Sequence, residues 1–333
     1  MSIRINPPHV IDKTSTKSIM LDVIIAMIPA MAVSVLFFGL NAMLVIITSV
    51  TACIALEYMC SIYWLKTKNN TQDLSAIVTG ILLAFCLPGN LPLWMVIIGA
   101  FIAIVVTKMA FGGLGRNIFN PALAGRTFLF LAFPVQMTLW PKPNLRDFWN
   151  YDIKTGATAL EIIKYSDVST SATRLDNNEY LSSLPDYYDM FIGYISGSVG
   201  EISVAAILIG FFYLLYKKVI TWHVPVFYMG TVFLIMYAVS LNSAEPIKYN
   251  SFLHVLSGGL MLGAVFMATD YTTSPMTAFG RIIFAVGCGV LTVLIRLNSV
   301  YMEGVAFSIL IMNAFVPLID KFTKPRIFGT GRK

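Results

Sequence analysis

The sequence predicts an all-α integral membrane protein of about ten transmembrane helices, arranged as two inverted five-helix repeats. Three observations carry this prediction. Hydrophobic residues make up 57% of the 333 residues and charged residues only 12%, against about 25% charged residues in an average soluble domain. Apolar runs able to cross a bilayer recur along the chain. One long polar stretch separates these runs into two sets of five.

Three of the predicted spans are short or interrupted. The third ends at Leu87-Pro88-Gly89-Asn90, the fifth begins at Asn120-Pro121, and the eighth ends in Asp270-Tyr-Thr-Thr-Ser-Pro275. Helices broken by glycine and proline persist in a membrane only where protein or a cavity satisfies their backbone. The ten predicted spans are 18–38, 42–65, 74–88, 92–111, 118–133, 190–216, 221–241, 252–270, 279–297 and 303–320.

The polar stretch divides the chain into three parts. Residues 1–133 form the first membrane half, residues 134–189 an extracytoplasmic loop, and residues 190–333 the second half with a basic tail. An odd number of spans in each half makes the two halves enter the membrane from opposite sides. Because interrupted spans occupy the third and eighth places, we expect an inverted repeat with a binding site between the halves.

Lysine and arginine are concentrated in alternate connections, as the positive-inside rule expects of cytoplasmic segments. Fifteen basic residues fall on one side, whereas the short connections on the other side hold only Lys248 and Arg296, and the long loop there has five bases against eight acids. We therefore expect both termini in the cytoplasm and the loop 134–189 outside. The net charge of +6 has the same origin and does not indicate nucleic acid. The fifteen are Arg4, Lys13, Lys17, Lys66, Lys68, Lys108, Arg116, Lys217, Lys218, Arg281, Lys321, Lys324, Arg326, Arg332 and Lys333.

A string rich in glycine and asparagine connects the fourth and fifth predicted spans. It includes Gly112-Gly113-Leu-Gly115-Arg-Asn117-Ile-Phe-Asn120-Pro121. Glycine lets backbone approach a ligand closely, and the asparagine amides can both donate and accept hydrogen bonds. The string therefore indicates either a ligand site or a tight cytoplasmic turn between two spans.

The polar loop contains a second string, Asp152-Ile-Lys-Thr155-Gly156-Ala157-Thr158. In it, Gly156 and Ala157 are expected to leave the Thr158 hydroxyl sterically open. A rival string, Asp167-Val-Ser-Thr-Ser-Ala-Thr173, repeats the spacing with serine in place of glycine. Thr158 is followed by the apolar residues Ala159 and Leu160, whereas Thr173 is followed by Arg174.

These strings resemble one family, which comprises the D subunit of the Rnf complex and the B subunit of the Na⁺-translocating NADH–quinone reductase. Residues 112–121 resemble its G-G-L-G-x-N-x-F-N-P signature, and residues 155–158 resemble its site of FMN attachment to a threonine hydroxyl. The resemblance extends over nearly the whole chain, including residues 18–30, 191–201, 254–259 and 266–275.

The resemblance implies a urea-transporter-like fold and two flavins. FMN would be linked to Thr158 through its phosphate, and a non-covalent flavin, riboflavin, would lie among the helices. The chain would pass electrons between them in ferredoxin:NAD⁺ oxidoreduction coupled to Na⁺ or H⁺ translocation. A separate flavin transferase would recognise the attachment sequence, which includes Asp152, Thr155, Gly156 and Ala157. The contacts expected for riboflavin are Gly112, Gly113, Asn117, Asn120 and Asp270.

The Rnf branch is favoured because the first span begins about 18 residues into the chain, whereas the quinone-reductase branch usually has a longer N-terminal extension. The implied location is the bacterial inner membrane. The implied partners are the A, B, C, E and G subunits of Rnf, especially the FMN-carrying G subunit, and membrane lipid. One alternative is the quinone-reductase B subunit, with quinone near Gly112 and Gly113. An alternative of another class is a flavin-free solute channel or transporter.

Carboxylates within a membrane are costly and are functional candidates by default. Asp22, Glu57 and Glu201 therefore form a possible ion path. The structural alternatives are that Glu57 pairs with a basic residue and that Glu201 favours a helix dipole. The four cysteines form no C-x-x-C pair, and the chain has no Rossmann fingerprint. We thus expect no metal site, no catalytic side chain and no NAD or ferredoxin site on this chain.

Overall fold

The computed structural model describes residues 15–64, 73–144, 155–164, 184–243, 248–299 and 304–324. These ranges are helical apart from their connections, and the only extended pairing within them is an isolated antiparallel bridge between Pro141 and Thr155. The predicted all-α class agrees with this structure. The outer faces expose large apolar side chains such as Phe212, Leu234 and Phe279, which is consistent with a lipid environment.

The first helical segment, α1, runs over Thr16–Tyr63 and breaks at Gly39, whose φ of 64° and ψ of −146° are not helical. Ile19 lines a cavity together with Lys108, and Glu57 contacts Lys108 directly. A straight helix would separate residues 19 and 57 by about 57 Å. The chain therefore reverses at Gly39, so α1 contains the first two predicted spans.

The rest of the first half consists of short helices. Helix α2 is Ser75–Phe85, α3 is Leu93–Phe101 and continues as π-helical turns over Ile102–Met109, and α4 is Pro121–Ala132. These correspond to the third, fourth and fifth predicted spans. Three short helices follow in the connecting region: α5 at Pro134–Met137, α6 at residues 159–164 and α7 at Tyr187–Ile192.

The second half contains six helices in its described part. They are α8 at Val204–Tyr216, α9 at His223–Asn242, α10 at Ser251–Leu256, α11 at Leu260–Leu262 with a π-helical turn at Gly263–Met267, α12 at Ala278–Asn298 and α13 at Val305–Phe322. The eighth predicted span is thus interrupted, as expected. By length and composition, α1, α9, α12 and α13 are able to cross a membrane.

The sixth predicted span, 190–216, begins too early. Gly193 ends α7 with a φ of 117°, and α8 starts only at Val204. The intervening loop packs on the end of α2, where Val199 N–H donates to Leu87 O at 3.0 Å and Gly200 N–H donates to Phe85 O at 2.9 Å. A Cβ on Gly200 would lie 2.3 Å from Phe85 Cβ. The serines and glycines between residues 196 and 203 indicate a loop, a signal that the predicted span did not use.

These loop contacts bear on the predicted architecture, because they show how an interrupted helix end in one half has its carbonyl groups satisfied by the other half. The inverted relation of the halves and the sides of the membrane on which the loops lie remain predictions.

Candidate functional site

A partly open cavity lies where the two halves meet. Its wall is mostly apolar, and its polar side chains come from both halves. An apolar wall with a few convergent polar groups is typical of a small-molecule site. The lining includes Ile19, Met20 and Val23 from α1, Leu82 from α2, Asn117 and Asn120 from the glycine–asparagine string, and Phe266, Asp270 and Thr272 from the interrupted eighth span.

A hydrogen-bond chain joins the two halves at this cavity. Asn117 Nδ2 donates to Thr272 Oγ1 at 3.0 Å, and Thr272 Oγ1 donates to Asp270 Oδ2 at 3.0 Å. Asp270 also accepts from Thr273 Oγ1 at 3.3 Å. Asn117 and Asp270, which were selected from separate strings, therefore lie in one network.

Asn120 makes two sets of structural hydrogen bonds beside the same cavity. Its Oδ1 accepts from the N–H groups of Ala122 and Leu123, which makes it the N-cap of α4. Its Nδ2 donates to Met267 O at 3.2 Å, across to the interrupted span. The Asn120-Pro121 pair thus follows the usual chemistry of a helix start, and it also holds the halves together.

Gly112 and Gly113 do not line the cavity. Together with Gly115 they have φ values of 105°, 93° and 85°, which side-chain-bearing residues rarely adopt. A Cβ on Gly112 would also lie 3.0 Å from Arg116 Cδ. These glycines turn the chain between the π-helical turns and Asn117, and they give the turn interpretation of this string direct support.

Lys108 is a buried residue rather than a charge of a connecting loop. Its Nζ lies 2.7 Å from Glu57 Oε2 and donates to Ser75 Oγ at 2.6 Å, and the two charged side chains are only 2% and 3% exposed. Ser75 Oγ in turn donates to Asp73 Oδ1 at 2.7 Å. Lys108 and Ser75 line the cavity, whereas Glu57 lies behind them. Glu57 therefore pairs with a basic residue of the same chain, as the structural alternative to an ion-path role required.

The other two carboxylates of the predicted ion path, those of Asp22 and Glu201, lie at places separate from Glu57. Asp22 accepts from Tyr213 Oη at 2.8 Å and lies 3.7 Å from Lys217 Nζ. Glu201 accepts from the Ser198 N–H at 3.1 Å in the loop before α8. Neither residue lines the cavity, so the structure does not join the three carboxylates into one path.

Thr158 is the N-cap of α6. Its Oγ1 accepts from the Glu161 N–H at 3.2 Å, and Glu161 Oε2 accepts from the Thr158 N–H at 2.9 Å. This reciprocal pair is a capping box. Burial raises the pKa of the Glu161 carboxyl, and the hydrogen bond from the Thr158 backbone partly opposes that rise. The half-buried hydroxyl of Thr158 is therefore held in one position at the start of a helix.

The residues before Thr158 are fixed against the end of the first half. Gly156 N–H donates to Trp140 O at 2.9 Å, next to the Pro141–Thr155 bridge. A Cβ on Gly156 would lie 2.7 Å from both Lys142 Cγ and Ser196 Oγ. Gly156 is thus required for close packing, rather than only to leave Thr158 open. Ala157 is exposed, while Asp152 and Thr173 lie outside the described residues.

The sequence analysis did not identify four side chains that contribute contacts at these two candidate sites. Glu161 stands three residues after Thr158, which is a capping-box spacing that could have been recognised. Lys108 was counted among loop charges because it stands near the end of an apolar run. Ser75 and Thr272 carry no motif, since their role arises only from the packing of the two halves.

The fold and the cavity define a class: a helical membrane protein that can bind a small molecule between two halves with interrupted helices. The chain belongs to the NQR2, RnfD, RnfE family, whose model matches residues 4–329. This match confirms the resemblance inferred from the glycine–asparagine and threonine strings.

Curated relatives are similar over almost their whole length. The chain is 44% identical over 332 residues to the D subunit of the proton-translocating ferredoxin:NAD(+) oxidoreductase complex of Clostridium ljungdahlii, covering 98% of this chain and 95% of the relative. It is 43% identical over 324 residues to the D subunit of the Na(+)-translocating ferredoxin:NAD(+) oxidoreductase complex of Acetobacterium woodii, covering 97% and 93%. It is 35% identical over 354 residues to the D subunit of the ion-translocating oxidoreductase complex of Halorhodospira halophila, covering 100% and 97%.

Proposed function

We propose that this chain is the membrane flavoprotein, or D subunit, of an ion-translocating ferredoxin:NAD⁺ oxidoreductase complex. Its relatives carry that name at 43–44% identity over nearly full length. Its share of the reaction is to hold two flavins on opposite sides of a membrane layer, so that electrons pass through it. The other subunits of the complex supply the ferredoxin and NAD⁺ sites. The observation that carries this proposal is the positioning of Thr158 within its family string.

Thr158 fits the attachment of FMN through a phosphoester. The hydroxyl oxygen is fixed by Glu161 at a helix N-terminus, where backbone N–H groups and the helix dipole favour a phosphate. Ala157 is exposed, which leaves an approach for a flavin transferase. A threonine there would form a capping box without any flavin, so capping and attachment must be separated by experiment.

The cavity between the halves fits an uncharged flavin such as riboflavin. Its lining combines apolar side chains, which suit the ring, with the side-chain oxygens of Asn117 and Thr272, which can accept from a ring N–H and from ribityl hydroxyls. Within the described lining, Lys108 is the only basic residue, and its charge is already balanced by Glu57. A phosphate-bearing flavin would find no unpaired cation on that described wall.

The Thr158 string and the inner cavity lie at opposite ends of the part of α1 that precedes Gly39. Asn144 N–H donates to Phe37 O at 2.9 Å near the Thr158 string, while Ile19 lines the inner cavity. Eighteen helical residues separate positions 19 and 37, which corresponds to about 27 Å. Flavins exchange one or two electrons when bound. The residues of the chain position them, exclude water from the inner one and hold the surrounding charges.

For ion coupling we propose that the Lys108–Glu57 ion pair is the first group to respond to charge that arrives in the cavity. Charge that arrives in the cavity acts on Lys108 at its wall, and Lys108 is bonded to Glu57 behind it. Carboxylates in a membrane are suitable cation ligands or proton relays. Asp22 and Glu201 remain further candidates, each at a separate place. Na⁺ and H⁺ are not distinguished by these contacts.

The second candidate function is that of the quinone-reductase B subunit, because the matching family model covers both branches and the cavity would also accept a quinone ring. Purified complex distinguishes the two. Reduced ferredoxin should drive NAD⁺ reduction with this chain present, and NADH should not drive quinone reduction. The reverse result would assign the chain to the quinone branch. A purified chain that releases no flavin and carries none covalently would instead favour a solute channel or transporter.

A further inference from the structure

A second cavity lies beside the helix that Thr158 caps. Helix α6 contributes Leu160, Ile163 and Lys164 to its wall. The remainder of the described wall comes from the second half and includes Lys248, Tyr249, His254 and Arg296. Three of the eight lining side chains, those of Lys164, Lys248 and Arg296, are cationic, and the described lining contains no carboxylate. The cavity is therefore suited to a ligand that carries negative charge or carbonyl groups.

Arg296 occupies this wall without a counter-charge in contact. The side chain is 7% exposed, and its Nη1 and Nη2 donate to the carbonyl groups of His254 at 2.6 Å and Ser257 at 3.0 Å. Its Nε has no partner among the residues that the structure describes. Glu201 lies beyond Gly258 and Gly259, and among the described residues no carboxylate is within ion-pair distance of Arg296. A buried donor without a partner is costly, and a ligand acceptor would relieve that cost.

His254 offers the complementary group. The imidazole is 5% exposed, and its Nε2 lies 3.1 Å from the Lys248 carbonyl oxygen. Because a carbonyl only accepts, Nε2 carries the proton and Nδ1 is left as an acceptor. Within the described part of the chain, Nδ1 has no partner either. The described residues thus leave an unsatisfied donor in Arg296 and an unsatisfied acceptor in His254 beside this cavity, and these two groups match the C=O and N–H of an imide.

We propose that this cavity holds the isoalloxazine ring of the FMN attached to Thr158, with Arg296 and His254 as positioning residues for its pyrimidine edge. The inference rests on the proposed attachment. Lys164 lies six residues after Thr158, a rise of about 9 Å along the helix, which a ribityl phosphate chain can span. Tyr249 provides an aromatic wall, and positive charge near the ring stabilises its reduced, anionic form.

The test compares redox titrations of the covalently bound flavin in the assembled complex. Arg296→Gln should shift its midpoint potential to a more negative value and change its visible absorption spectrum. Lys248→Gln should shift the potential in the same direction, and it keeps the backbone carbonyl that bonds His254. Lys142→Gln is the control. It removes the same charge near Gly156, outside the cavity, and should leave potential and spectrum unchanged.

Intact mass of each variant distinguishes the possible failures. If no variant and no wild-type chain carries FMN, the proposed attachment fails. If Lys248→Gln carries FMN with a wild-type potential and spectrum, and the assembled Arg296→Gln complex does the same, the ring does not lie in this cavity. Equal shifts in Lys142→Gln would also overturn the placement, because they would indicate a general effect of surface charge.

Discussion

Lys108 Nζ lies 2.7 Å from Glu57 Oε2 in a nearly water-free environment, although the two residues stand 51 positions apart in the chain. Removing one partner of a buried ion pair leaves a buried charge without compensation, which typically costs about 3–5 kcal/mol. Glu57→Gln should therefore lower the thermal stability of the purified chain, in proportion to that loss. A melting temperature equal to wild type would show that the pair is not buried in the protein as it exists in the membrane.

The paired variant Glu57→Gln/Lys108→Met separates stability from ion coupling. It removes both charges, so it should recover most of the stability lost in Glu57→Gln. If the pair takes part in coupling, the assembled complex with the paired variant should retain both flavins and ferredoxin-dependent NAD⁺ reduction, but lose ion transport in vesicles. Transport at wild-type stoichiometry would reduce the pair to a structural role.

The capping box around Thr158 predicts a graded response at Glu161. Glutamine can replace glutamate at this position of the motif, so Glu161→Gln should retain covalent flavin, measured as in-gel fluorescence of the chain. Glu161→Ala removes the acceptor for the Thr158 N–H and should weaken the helix start. We expect it to lower flavin attachment. Equal fluorescence in both variants would mean that the cap does not prepare the hydroxyl.

The inner cavity predicts a selective loss of the non-covalent flavin. Asn117→Leu breaks the hydrogen bond to Thr272 and places an apolar group on the wall, and Asn120→Leu additionally removes the α4 cap. Both should lower the riboflavin released on denaturation while covalent FMN remains. Asn242→Leu is the control, since that exposed side chain bonds only within its own helix. An unchanged riboflavin content in both cavity variants would contradict the placement of the non-covalent flavin in this cavity.

The predicted sidedness can be tested at two exposed positions. Tyr188 is 71% exposed in the connecting region, and Met276 is 85% exposed after the interrupted eighth span. In whole cells, Tyr188→Cys should react with a membrane-impermeant thiol reagent and Met276→Cys should not. The native cysteines give a low background, because three are buried and Cys60 is half-buried. Labelling of both positions from the same side would contradict the orientation inferred from lysine and arginine.

The sequence predicted those parts of the fold that depend on local composition. The runs of α9, α12 and α13 and the interruption of the eighth span follow from hydrophobicity, glycine and proline. Features that depend on contacts between distant segments were missed. The loop 194–203 was included in a predicted span although six of its ten residues are Ser, Gly or Glu, a composition typical of loops. Two of its N–H groups, those of Val199 and Gly200, bond to carbonyls at the end of α2.

The candidate site shows the same difference between features that local sequence predicts and features that depend on long-range contacts. Asn117, Asn120 and Asp270 were selected from strings, and they meet at one cavity. Lys108 was taken for a loop charge, since nothing local reveals that Glu57 lies next to it. The glycines at 112 and 113 have positive φ angles, which indicate a role in the turn, and the expected ligand contact stays a prediction. Motifs thus located the region, while the side chains that surround them required the packed structure.

The most direct test of the central claim is the intact mass of the purified chain, produced in a host that has a flavin transferase. The wild-type chain should be heavier than its sequence by one FMN less one water, and Thr158→Ser should keep that addition. Thr158→Asn preserves an N-cap but has no hydroxyl, so it should lose the addition, whereas Thr173→Ala should retain it. A wild-type chain of unmodified mass, or FMN on Thr158→Asn, would contradict the account.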